Sequence, residues 1–242
     1  MRSLHDDFPF YDGRPVNIEA KGWLVILVSV IGAFMILTLT PRFSFPSDLL
    51  PAILFVAIPL LTLHRIAGSS WKCLFRPISL RFAGLMVLFG AATLAASLVI
   101  GWMLRHFFDL YANPLASEFL SMSEMKIGQM LFVTGIQLIG EELLAILPFL
   151  AVLRLCKKHL QLSRTVGIVI ALTISSLIFG AAHLPTYDWH WAQSLIGVSL
   201  ARTVLTLAYL ATRNLWVSAG AHVINDWTIF LLAAEYEHAH LL

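Results

Sequence analysis

Seven long apolar stretches limit what this chain of 242 residues can fold into. A helix needs about 20 predominantly apolar residues to cross the hydrocarbon core of a bilayer. The stretches cover residues 22–40, 49–64, 82–104, 127–155, 165–183, 191–210 and 215–234. Their length predicts about seven membrane-spanning helices, with six to eight as the range.

The composition supports the same interpretation. Hydrophobic residues make up 59% of the chain and charged residues only 12%, about half of the roughly 25% usual in a soluble domain. We therefore predict an all-α, polytopic transmembrane helical bundle that forms one integral-membrane domain. It divides into a polar N-terminal segment (1–21), N-terminal spans with an interfacial segment (22–126), and a helical core that carries the unusual polar residues (127–242).

The distribution of lysine and arginine predicts the orientation. With the N-terminus in the cytoplasm, twelve basic residues fall in inside segments and three in outside segments, as the positive-inside rule requires. The N-terminal segment lacks a signal-peptide pattern, so we expect the first span to be retained as an anchor. Cys73 and Cys156 fall in basic loops on the cytoplasmic side, where a disulfide is not expected.

Two adjacent glutamates interrupt the fourth apolar stretch. Holding an ionised carboxylate at bilayer depth costs at least about 2.5–3.5 kcal/mol, so such residues usually face a wet cavity and have a function. Glu141 shares one helical face with Thr134 and Gln137. Glu142 lies about 100° around the helix. The two carboxylates are therefore not expected to share one role.

Two further spans carry polar groups on one face each. Phe179 and His183 are four residues apart in the fifth span, and small residues separate them. His222, Asn225 and Asp226 lie at positions i, i+3 and i+4 of the seventh span, which places them on one face. Each group also has a structural interpretation, as an interfacial histidine or as polar contacts that hold helices together.

The three groups resemble the motifs of a known family. They read Gly140-Glu-Glu, Phe179-Gly-Ala-Ala-His and His222-Val-Ile-Asn-Asp, and the third follows a Tyr-Leu-Ala-Thr-Arg-Asn-Leu-Trp stretch. They are similar to the EExxxR, FxxxH and HxxxN/D motifs of the CPBP (CAAX protease and bacteriocin-processing, or Abi) intramembrane glutamic endopeptidases. The resemblance covers roughly residues 127–232. Each motif is short, but the ordered set on three apolar helices is fairly specific.

The resemblance implies a catalytic role for five residues. Glu141 is expected to be the general base that activates a water molecule, with help from His183. His222 and Asp226 are expected to polarise the scissile carbonyl and to hold its oxyanion. Aspartate donates a hydrogen bond only when protonated, so either Asp226 is neutral or the neighbouring Asn225 supplies the amide. No cofactor and no metal is implied.

One position departs from the family pattern. The first motif normally has arginine four residues after its second glutamate, and Ile146 occupies that position here. Glu142 therefore lacks this partner, and an unpaired buried carboxylate is costly. Either Glu142 is protonated or it pairs with Arg202 of the sixth span. Glu142, Arg202 and Phe179 are accordingly expected to support the site.

The sequence thus predicts a peptidase that uses water to hydrolyse a peptide bond of a membrane-anchored protein or peptide. The alternatives are an inactive scaffold, such as an immunity or maturation partner, a metal-dependent variant of the protease, and a proton-coupled transporter. The expected partners are the substrate and the lipid bilayer, with no nucleic acid. We expect an integral protein of the bacterial inner membrane.

Overall fold

The computed structural model describes residues 7–41, 44–119 and 122–240, which form helices and no β-strand. The α-helices are α1 (Ala20–Leu39), α2 (Leu49–Ala67), α3 (Leu80–Leu104), α4 (Pro114–Phe119), α5 (Glu124–Lys158), α6 (Arg164–Ala182), α7 (Ser199–Thr212) and α8 (Leu215–His240). Two 3-10 helices (Gly68–Leu74 and Pro185–Tyr187) and a π-helix (Ala192–Val198) complete the described helical elements. The predicted all-α class is confirmed.

Six of the described helical segments are long and apolar enough to cross a membrane. They are α1, α2 with its 3-10 extension (Leu49–Leu74), α3, α5, α6 and the π-helix joined to α7 (Ala192–Thr212). The seventh predicted span coincides with α8, which is long enough but is not among the six. Its polar residues His222, Asn225 and Asp226 lower its mean hydropathy. The number lies within the predicted range of six to eight.

Helix α5 is one continuous helix of 35 residues. It passes through Gly140 and Pro148, where the sequence leaves a break possible. At 1.5 Å per residue it is about 52 Å long, well over the roughly 30 Å of a bilayer core. It is also the most buried of the six segments. The stretch of α5 from Gly140 to Leu150, which contains the two glutamates, is buried at every position.

The chain divides into two compact units, which share helices α5 to α8. Unit 1 comprises residues 7–41, 44–77, 133–175 and 211–216 of the described chain. Unit 2 comprises residues 78–119, 122–132, 176–210 and 217–240. The predicted division at residues 21 and 126 remains a prediction.

The core of unit 1 forms where α2 meets α5. The ring of Phe55 on α2 is fully buried, lies 5.9 Å from the ring of Phe34 on α1, and occupies the space beside Gly140 on α5. A Cβ atom at position 140 would overlap the Phe55 ring. The next two turns of α5 fill the core with fully buried side chains, namely Leu143, Ile146, Leu147, Phe149 and Leu150. Glycine is thus required for the close packing of α2 just before Glu141.

The N-terminal segment is more apolar in its contacts than its composition indicates. Phe8, Phe10, Tyr11 and Ile18 are all buried. The Phe8 ring meets Phe149 edge-to-face at 5.5 Å. These residues, although close to charged ones in the sequence, anchor the segment to unit 1.

Arginines at the helix ends hold the same segment from the other side. Arg164 and Arg213 place their guanidinium groups 5.3 and 5.7 Å from the centre of the Phe8 ring. Arg164 also donates to Asp7 at 2.6 Å. Arg154 donates to Asn17 Oδ1 at 2.7 Å. Basic residues that predict topology therefore also organise the fold of unit 1.

Two apolar clusters lie in the described part of unit 2. The first joins α7 and α8 through Leu205, Ala208, Val217 and Ala221, with four side chains of α3 packed against it. The second joins Phe119 of α4 to Phe230 of α8 and includes Trp227 and the first turns of α5. Together they fix α8, which carries the third polar group, against α3, α4 and α7.

We expect Gly140→Ala to destabilise the protein by about 1–3 kcal/mol, because the added methyl group must displace the buried Phe55 ring. Thermal unfolding in detergent measures this. Gly128→Ala is the matched control, since Gly128 lies in the same helix and has open space beside it. Equal melting temperatures for the two variants would contradict the packing argument.

The Asp7–Arg164 contact predicts a dependence on pH. Burial by itself raises the pKa of Asp7. Hydrogen bonds from Arg164, Tyr11 and the Phe8 N–H, together with the charge of Arg164, lower the pKa by more than burial raises it, so that it lies below the ordinary 3.8. A carboxyl group with a lowered pKa stabilises the fold above its unfolded-state pKa and loses this effect as pH falls through its folded-state pKa.

We therefore expect Asp7→Asn to lower the melting temperature at neutral pH. The difference from the wild type should shrink as the pH falls below 3.8. The exposed Asp12 provides the control, since Asp12→Asn should leave the melting curve unchanged at every pH. A wild-type advantage that stays constant down to the acid limit would refute the role of this contact.

Candidate active site

Glu141 lies on α5 within unit 1 and is held by a neighbour one turn earlier. Its exposed fraction is 8%. Gln137 Nε2 donates to Glu141 Oε1 at 2.9 Å. The sequence predicts that Gln137 lies on the same polar face as Glu141, but Gln137 is not one of the predicted site residues. The i, i+4 spacing is the signal that identifies it, because side chains at that spacing are neighbours on a helix.

Glu142 is completely buried in the same unit. Ile146, at the position of the family's arginine, is also completely buried. The side chain one turn after Glu142 is therefore apolar and cannot compensate its charge. A buried carboxylate needs either a proton or a partner from elsewhere, since removing the partner of a buried charge costs several kcal/mol.

His183 lies in unit 2, immediately after the last residue of α6. Its Nδ1 atom is 2.8 Å from the carbonyl oxygen of Phe179. A carbonyl oxygen only accepts, so Nδ1 must carry the hydrogen. In the neutral ring, Nε2 then has the lone pair and can take a proton from water. The observed contact with the Phe179 carbonyl thus fixes the tautomer, and the rings of Phe179 and His183 pack with centroids 4.6 Å apart.

The π-helix packs against the end of α6 that leads to His183. A Cβ atom at Gly180 would meet Ser199 Oγ and, at 2.5 Å, the carbonyl oxygen of Ser194. Ser194 Oγ donates to the carbonyl oxygen of His183 at 3.4 Å. π-Helical turns are rare and are frequent near functional sites. This one, which the sequence does not reveal, positions the backbone at His183.

Phe179 is the centre of the polar cluster in unit 2. Besides His183, its ring contacts His222 with centroids 6.1 Å apart. The guanidinium of Arg202 also contacts the Phe179 ring and lies 4.8 Å from its centre. Arg202 is 2% exposed, and its Nε atom donates to Thr206 Oγ1 at 3.1 Å. A cation over an aromatic face gains about 2 kcal/mol or more when both are shielded from water.

The third group forms a compact hydrogen-bonded set on α8. Asn225 Nδ2 donates to Asp226 Oδ1 at 2.8 Å. His222 Nε2 lies 3.6 Å from the same oxygen, near enough for an ion pair and too far for a hydrogen bond. His222 and Asn225 are 5% and 6% exposed. The spacing in the sequence predicts the shared face correctly.

Six of the eight predicted site residues therefore belong to unit 2 and are joined by contacts within it. They are Phe179, His183, Arg202, His222, Asn225 and Asp226. The other two, Glu141 and Glu142, belong to unit 1 with Gln137. In the described part of the chain, no group of three or more His, Cys, Asp or Glu side chains is arranged to hold a metal ion.

A separate groove of about 600 Å³ lies in unit 1. Its lining is almost wholly apolar and comes mainly from α2, which includes His64. Trp71 of the following 3-10 helix and Ile136 of α5 complete it. Ile136 lies about 140° around α5 from Glu141. None of the predicted site residues lines this groove, so its position does not define the candidate active site.

Residues 123–228, slightly under half of the chain, match the protein-family model described as type II CAAX prenyl endopeptidase Rce1-like. This part of the chain is therefore similar to an Rce1-like CAAX protease domain. The matched segment contains all three motifs and all eight predicted site residues. The resemblance to the CPBP family is therefore confirmed. No curated protein and no solved structure matches the chain.

Proposed function

We propose that this protein is a glutamic-type intramembrane endopeptidase, which hydrolyses a peptide bond of a membrane-anchored protein or peptide. The observation that carries the proposal is the set of buried, hydrogen-bonded polar groups found at each of the three family motifs. In the segment similar to the Rce1-like domain, the Glu141 carboxylate accepts a hydrogen bond from the Gln137 amide, and the His183 imidazole has a fixed tautomer. His222, Asp226 and Asn225 form the third group. These are the parts that attack by water on a carbonyl needs.

Glu141 is the proposed general base. Gln137 donates to one carboxylate oxygen of Glu141 at 2.9 Å. This hydrogen bond fixes the orientation in which the carboxylate would accept a proton. His183 is proposed to act on the same water through Nε2, because Nδ1 is committed to the Phe179 carbonyl. Convergence of Glu141 and His183 on one water is the central requirement of this mechanism.

His222 is the proposed donor to the oxyanion. Asp226 accepts a hydrogen bond from Asn225, so it is suited to orient the neighbouring His222 imidazole rather than to donate to the substrate. This arrangement favours a division of roles, in which Asp226 and one N–H of Asn225 hold each other and His222 polarises the scissile carbonyl.

Arg202 is the proposed partner of Glu142. Both side chains are almost fully withdrawn from water, and each charge requires compensation there. Ile146 removes the family's own cation from α5. A cation supplied from α7 would restore the missing pair by a different route, and the Phe179 ring and Thr206 already hold Arg202 in place.

The substitution by Ile146 also favours a second candidate function, a non-catalytic Rce1-like protein that binds a membrane partner. In that case the polar network would be structural. We propose, for either function, an integral protein of the bacterial inner membrane with its N-terminus in the cytoplasm, since basic residues concentrate in the segments on that side.

Glu141→Gln should reduce cleavage of a membrane-anchored peptide by at least about 100-fold, the usual scale for loss of a general base. The assay is best run in proteoliposomes, after thermal unfolding has shown that the wild type and the variant have the same melting temperature. Glu124→Gln is the matched control, because Glu124 is exposed at the start of the same helix. Wild-type activity should survive strong chelation.

Three results separate the alternatives. Loss of wild-type activity on chelation, with recovery on adding a divalent metal, would indicate the metal-dependent variant. Equal cleavage by wild type and Glu141→Gln would refute the glutamic mechanism. Retention of partner binding in Glu141→Ala, without cleavage by either protein, would favour the non-catalytic function.

The proposed Glu142–Arg202 pair is tested by a double-mutant cycle. Arg202→Leu alone should destabilise the protein by about 3–5 kcal/mol, because it leaves a buried charge unpaired. Adding Glu142→Gln should recover part of that loss. Thermal unfolding of the wild type, both single variants and the double variant gives the coupling energy. Additive effects of the two substitutions would exclude the pair.

A further inference from the structure

Asn225 has a buried oxygen without a hydrogen-bond partner. The residue is 6% exposed, and its Oδ1 atom has no partner among the described residues. Leaving a buried acceptor unsatisfied is unfavourable, so such an atom in a folded protein needs an explanation. Asn225 is hydrogen-bonded through its nitrogen to Asp226 and lies three residues after His222 on the same helix.

Two other amide side chains, those of Asn214 and Gln193, use both of their ends. Asn214 Oδ1 accepts from the N–H groups of Arg76 and Trp216, and its Nδ2 donates to the Arg76 carbonyl. Gln193 Oε1 accepts from the Tyr111 N–H, and its Nε2 donates to the Tyr111 carbonyl. These amides hold segments of the fold together. Asn225 does only half of this.

The orientation of the Asn225 amide is fixed by its neighbour. Nδ2 donates to Asp226 Oδ1 at 2.8 Å. Turning the amide over would bring two oxygen atoms to that distance, which is unfavourable because neither can donate while Asp226 is ionised. The amide therefore keeps its nitrogen on Asp226 and presents its oxygen away from it.

We propose that Asn225 Oδ1 accepts a hydrogen bond from a backbone N–H of the substrate, next to the scissile bond. This rests on the proposed peptidase function and adds a substrate-positioning contact at that site. An extended peptide that leaves water must satisfy its own N–H groups. A preformed acceptor beside the oxyanion donor satisfies one of them and sets the register of the peptide against His222.

The contact belongs to the bound substrate as well as to the transition state. Its loss is therefore expected to act mainly on KM, whereas loss of the base at Glu141 acts on kcat. In this scheme Asn225 contributes a donor to Asp226 and an acceptor to the peptide. An amide can do both because its nitrogen donates and its oxygen accepts.

The test replaces single backbone N–H groups of the substrate by N-methyl groups. The probe is a prenylated CAAX-type peptide, with one N-methyl group at each position flanking, but not within, the scissile bond. With wild-type protein, one position should lose about 10-fold in kcat/KM, chiefly through KM, for one lost hydrogen bond. Asn225→Ala should lose about as much with the unmodified peptide and show no further loss at that position.

Two further variants control the measurement. Asn225→Asp retains an acceptor oxygen, so the sensitivity to N-methylation at that position should persist. Thr228→Val is the matched control on the same helix, because Thr228 bonds only back to the Ile224 carbonyl in the hydrogen bonds seen for it. It should retain the wild-type pattern at every position.

The inference is overturned if the wild type tolerates N-methylation at every flanking position, a result that needs no variant to fold. It is also overturned if Asn225→Ala keeps the wild-type penalty at each position. Failure of the proposed function looks different, since Glu141→Gln would then cleave the unmodified peptide as well as the wild type does.

Discussion

Ionisable groups in an apolar environment must be paired, hydrogen-bonded or neutral, and the polar part of this protein follows from that requirement. Glu141 is held by Gln137, Arg202 rests on the Phe179 ring and Thr206, and Asp226 accepts from Asn225. Each contact is made along one helix or to a helix packed beside it. The same contacts that make burial tolerable also fix the orientations of these side chains.

Small residues and one aromatic ring make this arrangement possible. Gly140 admits the Phe55 ring against α5 immediately before the two glutamates, and Gly180 admits the π-helix against the end of α6. Phe179 then contacts both histidines and Arg202. The family motif records this residue only as the start of FxxxH. Its packing explains why an aromatic side chain suits the position.

Much of the fold could be predicted from hydrophobic length, because a bilayer requires about 20 apolar residues per span. The polar faces of α5 and α8 could also be predicted, because residues three and four positions apart lie on the same face of a helix. The burial of Phe8, Phe10 and Tyr11 could not be predicted, since their segment reads as polar and is packed through residues distant in the sequence, such as Phe149, Arg164 and Arg213. The π-helix also depends on tertiary packing at Gly180.

The sequence by itself determined the all-α membrane class and the resemblance to the CPBP family, and it predicted the candidate site residues, because length, apolarity and motif spacing are local properties of the chain. Only the tertiary structure decided the tautomer of His183, the place of Arg202 on Phe179, and the unsatisfied oxygen of Asn225. These depend on which atoms meet across helices or across a turn. Spacing along one chain does not specify such distances.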